Sequence, residues 1–173
     1  MKLLIKVSLR YGVLAALIGF CLLVILYYMD RHPFLIPVYF DFRIILFGVF
    51  IFFTLREIRD YYQNGVLFFW QGIFASIFFT FMYAIVSSVF LFLFVHFVPG
   101  FLARYVEMSI QQLKALPADI IERVGKDVYL KNLAMLPSTS ASDLLLLYLT
   151  QCFMISFFIS IILSVILRKQ PKT

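Results

Sequence analysis

The stretch YGVLAALIGFCLLVILYYM, residues 11–29, decides the fold, because it contains no charged side chain. A helix needs about 20 apolar residues to cross the hydrocarbon core of a bilayer. The whole chain has 173 residues, of which 64% are hydrophobic and 14% are charged. A soluble domain carries about 25% charged residues and could not bury so large an apolar fraction. The composition excludes a soluble enzyme, a disordered linker and a secreted disulfide scaffold, and it predicts an integral membrane protein.

Three further apolar stretches follow, and we expect each of them to cross the membrane as a helix. They lie at about residues 38–55, 65–97 and 144–167. The stretch 65–97 is longer than a core of about 30 Å requires, so this helix must tilt, kink or protrude. The sequence therefore predicts an all-α protein, with an integral membrane four-helix bundle that forms a single domain over residues 1–173.

The basic residues predict the orientation of this bundle. Lysine and arginine are concentrated in the N-terminal arm, near Arg56 and in the tail that contains Lys172, whereas acidic residues balance the basic ones in segment 98–142. Under the positive-inside rule, both termini are cytoplasmic and segment 98–142 faces the outside. Its helical periodicity predicts two amphipathic helices, which either lie in the membrane interface or dock a partner.

The most regular pattern in the sequence is a stripe of small residues on each of the last two spans. Small side chains let helix backbones approach closely in lipid, where no hydrophobic force drives association. We expect these two helices to pack on each other, or one of them to pack on a partner. The positions are Gly72, Ser76, Thr80, Ala84, Ser88, Cys152, Ser156, Ser160 and Ser164. The first span has a similar face, formed by Gly12, Ala15, Ala16 and Gly19.

The sequence contains no recognisable motif for catalysis or metal binding. HExxH, GxSxG and P-loop patterns are absent, and no serine or threonine has a nearby histidine base. Cys21 and Cys152 fall in apolar stretches and show no metal-ligand spacing. Runs of Lys or Arg do not alternate with aromatic residues. We therefore expect a protein that is not an enzyme, with no catalytic residue, cofactor, metal site or nucleic-acid partner.

Asp41 and Arg43 are the charged residues that come closest to the apolar part of a span. They are two positions apart, so on a helix their side chains would not face each other. We expect both to snorkel to the interface at the outer end of the second span. The alternative is that they belong to a transport path, because ionisable groups inside a membrane often do.

Several motifs at the helix ends resemble those of a known family. They are the run REIRDYY at 56–62, the run NGVLFF followed by QG within 64–72, and HFVPGFL at 96–102. Together with the Tyr-Gly start of the first span and the Leu-Arg-Lys tail, they are similar to the bacterial membrane family catalogued as domain of unknown function 4199 (DUF4199). The resemblance implies four helices in the bacterial inner membrane and no established activity, cofactor or catalytic residue. Genes of such proteins often lie near a lipid-linked glycosyltransferase of the envelope, which implies a candidate partner.

These features predict a small polytopic inner-membrane protein without catalytic activity, acting as an accessory or scaffold subunit of a cell-envelope complex. It would contact membrane lipids and a membrane protein partner, or form a homo-oligomer. One alternative is a small oligomeric transporter or channel, which Asp41 and Arg43 could gate. A second alternative is a membrane-embedded enzyme acting on lipid-linked substrates, which would depend on His96 or Glu107.

Overall fold

The computed structural model describes residues 2–98 and 100–170, without the side chain of Val38. Pro99, expected at the end of the third span, and Lys172, expected in the basic tail, lie outside the described residues. Within them the chain is all-α, as predicted, and strands are absent apart from one isolated bridge. The helices are α1 (Lys2–Tyr28), α2 (Phe42–Glu57), α3 (Phe69–Phe97), α4 (Phe101–Lys114), α5 (Ala118–Val124), α6 (Lys126–Met135) and α7 (Ala141–Leu167).

Three of these helices are long and apolar enough to cross a membrane, namely α1, α3 and α7. These three candidate spans correspond to three of the four predicted ones, about residues 11–29, 65–97 and 144–167. Helix α2 has 16 residues, which corresponds to a length of about 24 Å. This is shorter than the hydrocarbon core of about 30 Å, so length and composition alone do not identify α2 as a span.

The helix boundaries differ from the expected ones where glycine, proline or a cap intervenes. Helix α1 begins at Lys2 rather than at residue 11, because the basic residues of the N-terminal arm favour helix. Helix α2 begins at Phe42 rather than near residue 38, since Pro37 and the extended Asp41 precede it. Helix α3 begins at Phe69 rather than at residue 65, because Gly65 has a φ of +80° and belongs to a left-handed turn.

The four helices α1, α2, α3 and α7 alternate in direction. Near the start of α1, Arg10 donates to the carboxylate of Glu57 at the end of α2, at 2.5 Å. Just before α3, Leu67 pairs through its backbone with Lys169 after α7, with N–O distances of 2.9 and 3.0 Å. Both ends of the described chain therefore lie at one end of the bundle, which we call the terminal end. The opposite end is called the far end.

Close approach of α1 to α3 depends on two glycines. A Cβ atom at Gly12 would lie 2.8 Å from the carbonyl oxygen of Phe79, and one at Gly19 would lie 2.5 Å from the hydroxyl of Tyr83. Both distances are shorter than the van der Waals contact distance between a carbon and an oxygen atom. Ala15 and Ala16, between the glycines, are fully buried. The small face of α1 therefore lies directly on α3.

The described part of segment 98–142 folds into three α-helices at the far end, and the expectation of two is wrong. Gly125 separates α5 from α6 with a φ of +96°, a conformation that interrupts a helix. Helix α4 buries Phe101 and Ser109 and is tied to the end of α1 by an ion pair between Arg104 and Asp30, at 2.5 Å. Helices α5 and α6 contain no buried residue.

Candidate functional site

A buried arginine, Arg43, lies inside the bundle. The side chain of Arg43 is 4% exposed and that of Asp41 is 7% exposed. Arg43 Nε lies 2.9 Å from Asp41 Oδ1 and 3.0 Å from Oδ2, and Nη2 also donates to Oδ2. The pair is therefore a two-nitrogen, two-oxygen contact, which is the strongest geometry for a guanidinium and a carboxylate.

The local backbone explains how residues two positions apart can pair. Asp41 is not part of α2 but caps it, with extended backbone angles of φ −67° and ψ 120°. Its carboxylate accepts from the backbone N–H of Arg43 at 2.9 Å as well as from the guanidinium. The expectation that the two side chains do not face each other is wrong, because it assumed that both residues are helical. The expectation that they snorkel to the interface is also wrong, because both are buried inside the bundle.

Helix α7 supplies the remaining contacts of Arg43. Nη2 donates to Gln151 Oε1 at 2.6 Å, and Nη1 lies 3.5 Å from Cys152 Sγ. The guanidinium carbon lies 4.9 Å from the centre of the Tyr148 ring, a cation–π contact. The hydroxyl of Tyr148 in turn lies 3.0 Å from that of Tyr83 on α3. We call this set the Asp41–Arg43 cluster; its members are Asp41, Arg43, Tyr83, Tyr148, Gln151 and Cys152.

The cluster is enclosed by the helices of the bundle. It extends from Arg43, the second residue of α2, to Tyr83, the central residue of α3. The cavity beside Arg43 has a volume of about 10 Å³, room for one water molecule at most. An enclosed ion pair whose hydrogen bonds are satisfied can hold α2 and α7 together, but it leaves no space for a substrate.

Sequence reasoning missed the part of the cluster on α7, although a signal was present. Tyr148, Gln151 and Cys152 are spaced i, i+3 and i+4, so they share one face of the helix. Gln151 is also the one amide side chain within the stretch 144–167, which contains no charged residue. A polar residue at that position indicates a buried hydrogen-bond partner elsewhere in the bundle.

The two small-residue stripes face each other across the contact between α3 and α7. The hydroxyls of Thr80 and Ser156 hydrogen-bond directly. A Cβ atom at Gly72 would lie 2.6 Å from the hydroxyl of Ser164. Ser88 is half-buried, and the other eight positions are buried: Gly72, Ser76, Thr80, Ala84, Cys152, Ser156, Ser160 and Ser164.

A second buried polar group, His32, lies at the far end. It is 2% exposed, and among the described residues neither ring nitrogen has a hydrogen-bond partner. The imidazole lies among aromatic rings, with centroid distances of 4.7 Å to Phe101 and 5.2 Å to Tyr105. In contrast, His96 and Glu107 are exposed. In the part of the chain that the structure describes, no group of three His, Cys, Asp or Glu side chains could hold a metal ion.

Because His32 is buried, we expect the protein to lose stability in mild acid. Burial lowers the pKa of His32 from the ordinary 6.5 to about 4. The Arg104 cation lowers this pKa further by a small amount, and the backbone of Phe101 has the opposite effect. Between these pH values the unfolded chain binds a proton that the folded chain does not. The free energy of unfolding therefore falls as the pH is lowered from 7 to 5, by about 2 kcal/mol.

Equilibrium unfolding in detergent micelles at pH 7 and pH 5 measures this difference. The variant His32→Leu should lose most of the pH dependence, whereas His96→Leu, at an exposed site, should retain it. Equal pH dependence in the wild type and in His32→Leu would contradict the assignment to His32.

Comparison with known proteins gives one match. No curated protein and no solved structure matches the chain. A family model described as "Protein of unknown function (DUF4199)" matches residues 10–169. The match begins at Arg10, which pairs with Glu57, and ends at Lys169, which pairs with Leu67. It includes the whole Asp41–Arg43 cluster. The resemblance drawn from the helix-end motifs is confirmed, and the chain belongs to the DUF4199 family.

Proposed function

We propose that this protein is an accessory or scaffold subunit, without catalytic activity, of a membrane complex in the cell envelope of a bacterium. The observation that carries the proposal is the arm formed by α5 and α6, residues 118–135, which packs little on the rest of the chain. Its exposed apolar side chains are Ile120, Val124, Val128, Leu130 and Met135. Exposed apolar groups of this kind, collected on one segment, are typical of a docking surface.

The charge of the arm favours a protein partner over the membrane surface. A helix that lies on an anionic membrane carries an excess of lysine and arginine on its polar face. The arm has no such excess: its acidic residues are Asp119, Glu122 and Asp127, and its basic residues are Arg123, Lys126 and Lys131. A second copy of this chain or another envelope protein, such as a lipid-linked glycosyltransferase, would meet this neutral and partly apolar surface.

The proposal includes a topology. We place the chain in the inner membrane with four spans, α2 being the short one, and with both termini in the cytoplasm. Support comes from the terminal end, where Arg10, Arg56 and Lys169 collect on one side of the bundle. The far end, with the arm, would then face the periplasm.

Photo-crosslinking in native membranes tests the proposal. A crosslinking amino acid at Val128, which is 49% exposed on the arm, should give a protein adduct in a fixed stoichiometry after gentle extraction and mass spectrometry. The matched control is Val165, which is 59% exposed on α7, and we expect its adducts to be mainly lipid. The substitution Leu130→Asp should abolish the adduct at Val128. Adducts at Val128 that consist of lipid alone, or that survive Leu130→Asp, would contradict a docking arm.

A transporter is the second candidate, because Asp41 and Arg43 form an ion pair that is buried inside the bundle. Ionisable groups inside a membrane bundle are frequent in transport paths. Reconstituted liposomes distinguish the two functions: transport predicts ion flux through the folded wild-type protein, whereas a scaffold leaves the liposomes sealed. The enzyme alternative has no comparable support, since His96 and Glu107 are both exposed and make no contact with each other.

A further inference from the structure

An open cleft lies at the terminal end, between the first half of α1 and the end of α2. Its volume is about 670 Å³, within the range of small-molecule binding sites. It is at the opposite end of the bundle from the arm and shares no residue with the Asp41–Arg43 cluster. The lining residues are Arg10, Tyr11, Phe53, Arg56, Glu57, Asp60, Tyr61 and Tyr62. We call it the terminal cleft.

Both carboxylates of the terminal cleft already have close cationic partners. Glu57 accepts from Arg10 at 2.5 Å and from the hydroxyl of Tyr11 at 2.7 Å. Asp60 accepts from Arg59, with distances of 2.7 and 3.2 Å. Neither carboxylate is therefore free to bind a ligand cation.

One arginine of the cleft remains without a close partner. The guanidinium of Arg56 reaches Asp60 only at 3.6 Å, and its side chain is 56% exposed. Counting Arg59 with the cleft, three guanidinium groups face two carboxylates, so one positive charge is not balanced. A ligand with a single negative charge, such as a phosphodiester, is the electrostatic complement.

The other walls of the cleft match the boundary between lipid headgroups and acyl chains. Residues Ile58–Tyr62 form a π-helical turn directly after α2, an element that is rare and frequent at functional sites. The turn places Tyr61 and Tyr62 beside the arginines, and Tyr61 is 81% exposed. Tyrosine concentrates at membrane interfaces because its ring is apolar and its hydroxyl is polar. Phe53, one turn before the end of α2, adds an apolar wall.

We propose that the terminal cleft binds one anionic phospholipid, whose phosphodiester contacts Arg56 and the free donors of Arg10. The glycerol and the first methylene groups lie against Phe53, Tyr61 and Tyr62. Because both carboxylates are occupied, the ammonium group of a zwitterionic lipid finds no partner there, and the site selects the anionic lipid. This site is independent of the docking function proposed for the arm.

Native mass spectrometry of the full chain tests the site. The protein is taken from nanodiscs that contain equal amounts of phosphatidylglycerol and phosphatidylcholine, and the lipids retained after mild delipidation are counted. We expect one phosphatidylglycerol per chain in preference to phosphatidylcholine. Arg56→Gln should lower the ratio of the two retained lipids about tenfold, the effect of losing one charge-assisted contact.

Two further variants and one competitor make the test specific. Arg168→Gln removes the same charge after α7, at an exposed site outside the cleft, and should leave the ratio within about twofold. Glu57→Gln removes a negative charge and releases Arg10, so it should raise the ratio, and it tests the site even if Arg56→Gln does not fold. Millimolar inorganic phosphate, matched in ionic strength with sodium chloride, should not displace the lipid.

Three results would overturn the proposal. The first is an equal loss in Arg56→Gln and Arg168→Gln, which indicates general attraction to the membrane surface. The second is an unchanged ratio in both Arg56→Gln and Glu57→Gln. The third is displacement by inorganic phosphate, which indicates a soluble ligand in place of a lipid.

Discussion

Replacing Asp41 by asparagine is expected to destabilise the folded protein by about 3–5 kcal/mol, the effect of removing one partner from a buried ion pair. Arg43 would remain in the bundle with its side chain 4% exposed and without a counter-charge. Asparagine can still cap α2, so the substitution removes the charge and leaves the cap. Equilibrium unfolding in mixed micelles measures the loss.

A matched carboxylate at the terminal end is the control. Asp60 is 36% exposed, and its close partner Arg59 and more distant partner Arg56 are also at the surface, so Asp60→Asn should cost less than about 1 kcal/mol. The double variant Asp41→Asn with Arg43→Met removes both charges, and it should be more stable than Asp41→Asn alone because no buried charge is left unpaired. A loss below about 1 kcal/mol in Asp41→Asn would contradict the buried pair.

Replacing Gly12 by leucine is expected to destabilise the protein by about 3 kcal/mol, at the upper end of overpacking effects. The Cβ atom alone would lie 2.8 Å from the carbonyl oxygen of Phe79 and 3.3 Å from the backbone nitrogen of Tyr83. These are backbone atoms of α3 and cannot rotate away, so α1 and α3 must separate. Resistance to unfolding in mixed micelles is again the measurement.

The same substitution at Gly48 should have the opposite effect. A Cβ atom at Gly48 would have no neighbour within 4 Å, and glycine inside a helix costs about 0.5–1 kcal/mol relative to alanine. Leucine at this open position of α2 should therefore stabilise the protein slightly. If Gly12→Leu and Gly48→Leu change stability in the same direction, the close contact between α1 and α3 is not what Gly12 provides.

Much of the fold follows from the sequence because it depends on local composition. The apolar stretches 11–29, 65–97 and 144–167 correspond to α1, α3 and α7, since hydropathy acts on each segment separately. The start of α2 was less predictable. Its position depends on the cap at Asp41 and on the short turns after Pro33, and these interrupt a stretch whose hydropathy continues.

The small-residue stripes could also be predicted from local sequence, since they repeat every four residues along one helix. The sequence predicted that the two helices that carry them pack on each other or that one of them packs on a partner, and it left that choice open. Thr80 bonds to Ser156, and Gly72 approaches Ser164, but the periodicity of a stripe does not state which helix it meets. That choice depends on the shapes of all the helix faces at once.

The sequence by itself determined an all-α membrane protein with close-packing faces, because hydropathy and residue size are properties of each segment. Only the tertiary structure decided that Asp41 and Arg43 form a closed pair. The partners Gln151 and Cys152 lie more than one hundred residues along the chain, and a charge can be buried only where distant groups supply its hydrogen bonds. The same holds for His32, whose aromatic surroundings come from α1 and α4. Local patterns specify which segments are apolar enough to enter a membrane, whereas the burial of charge depends on which helix surfaces meet.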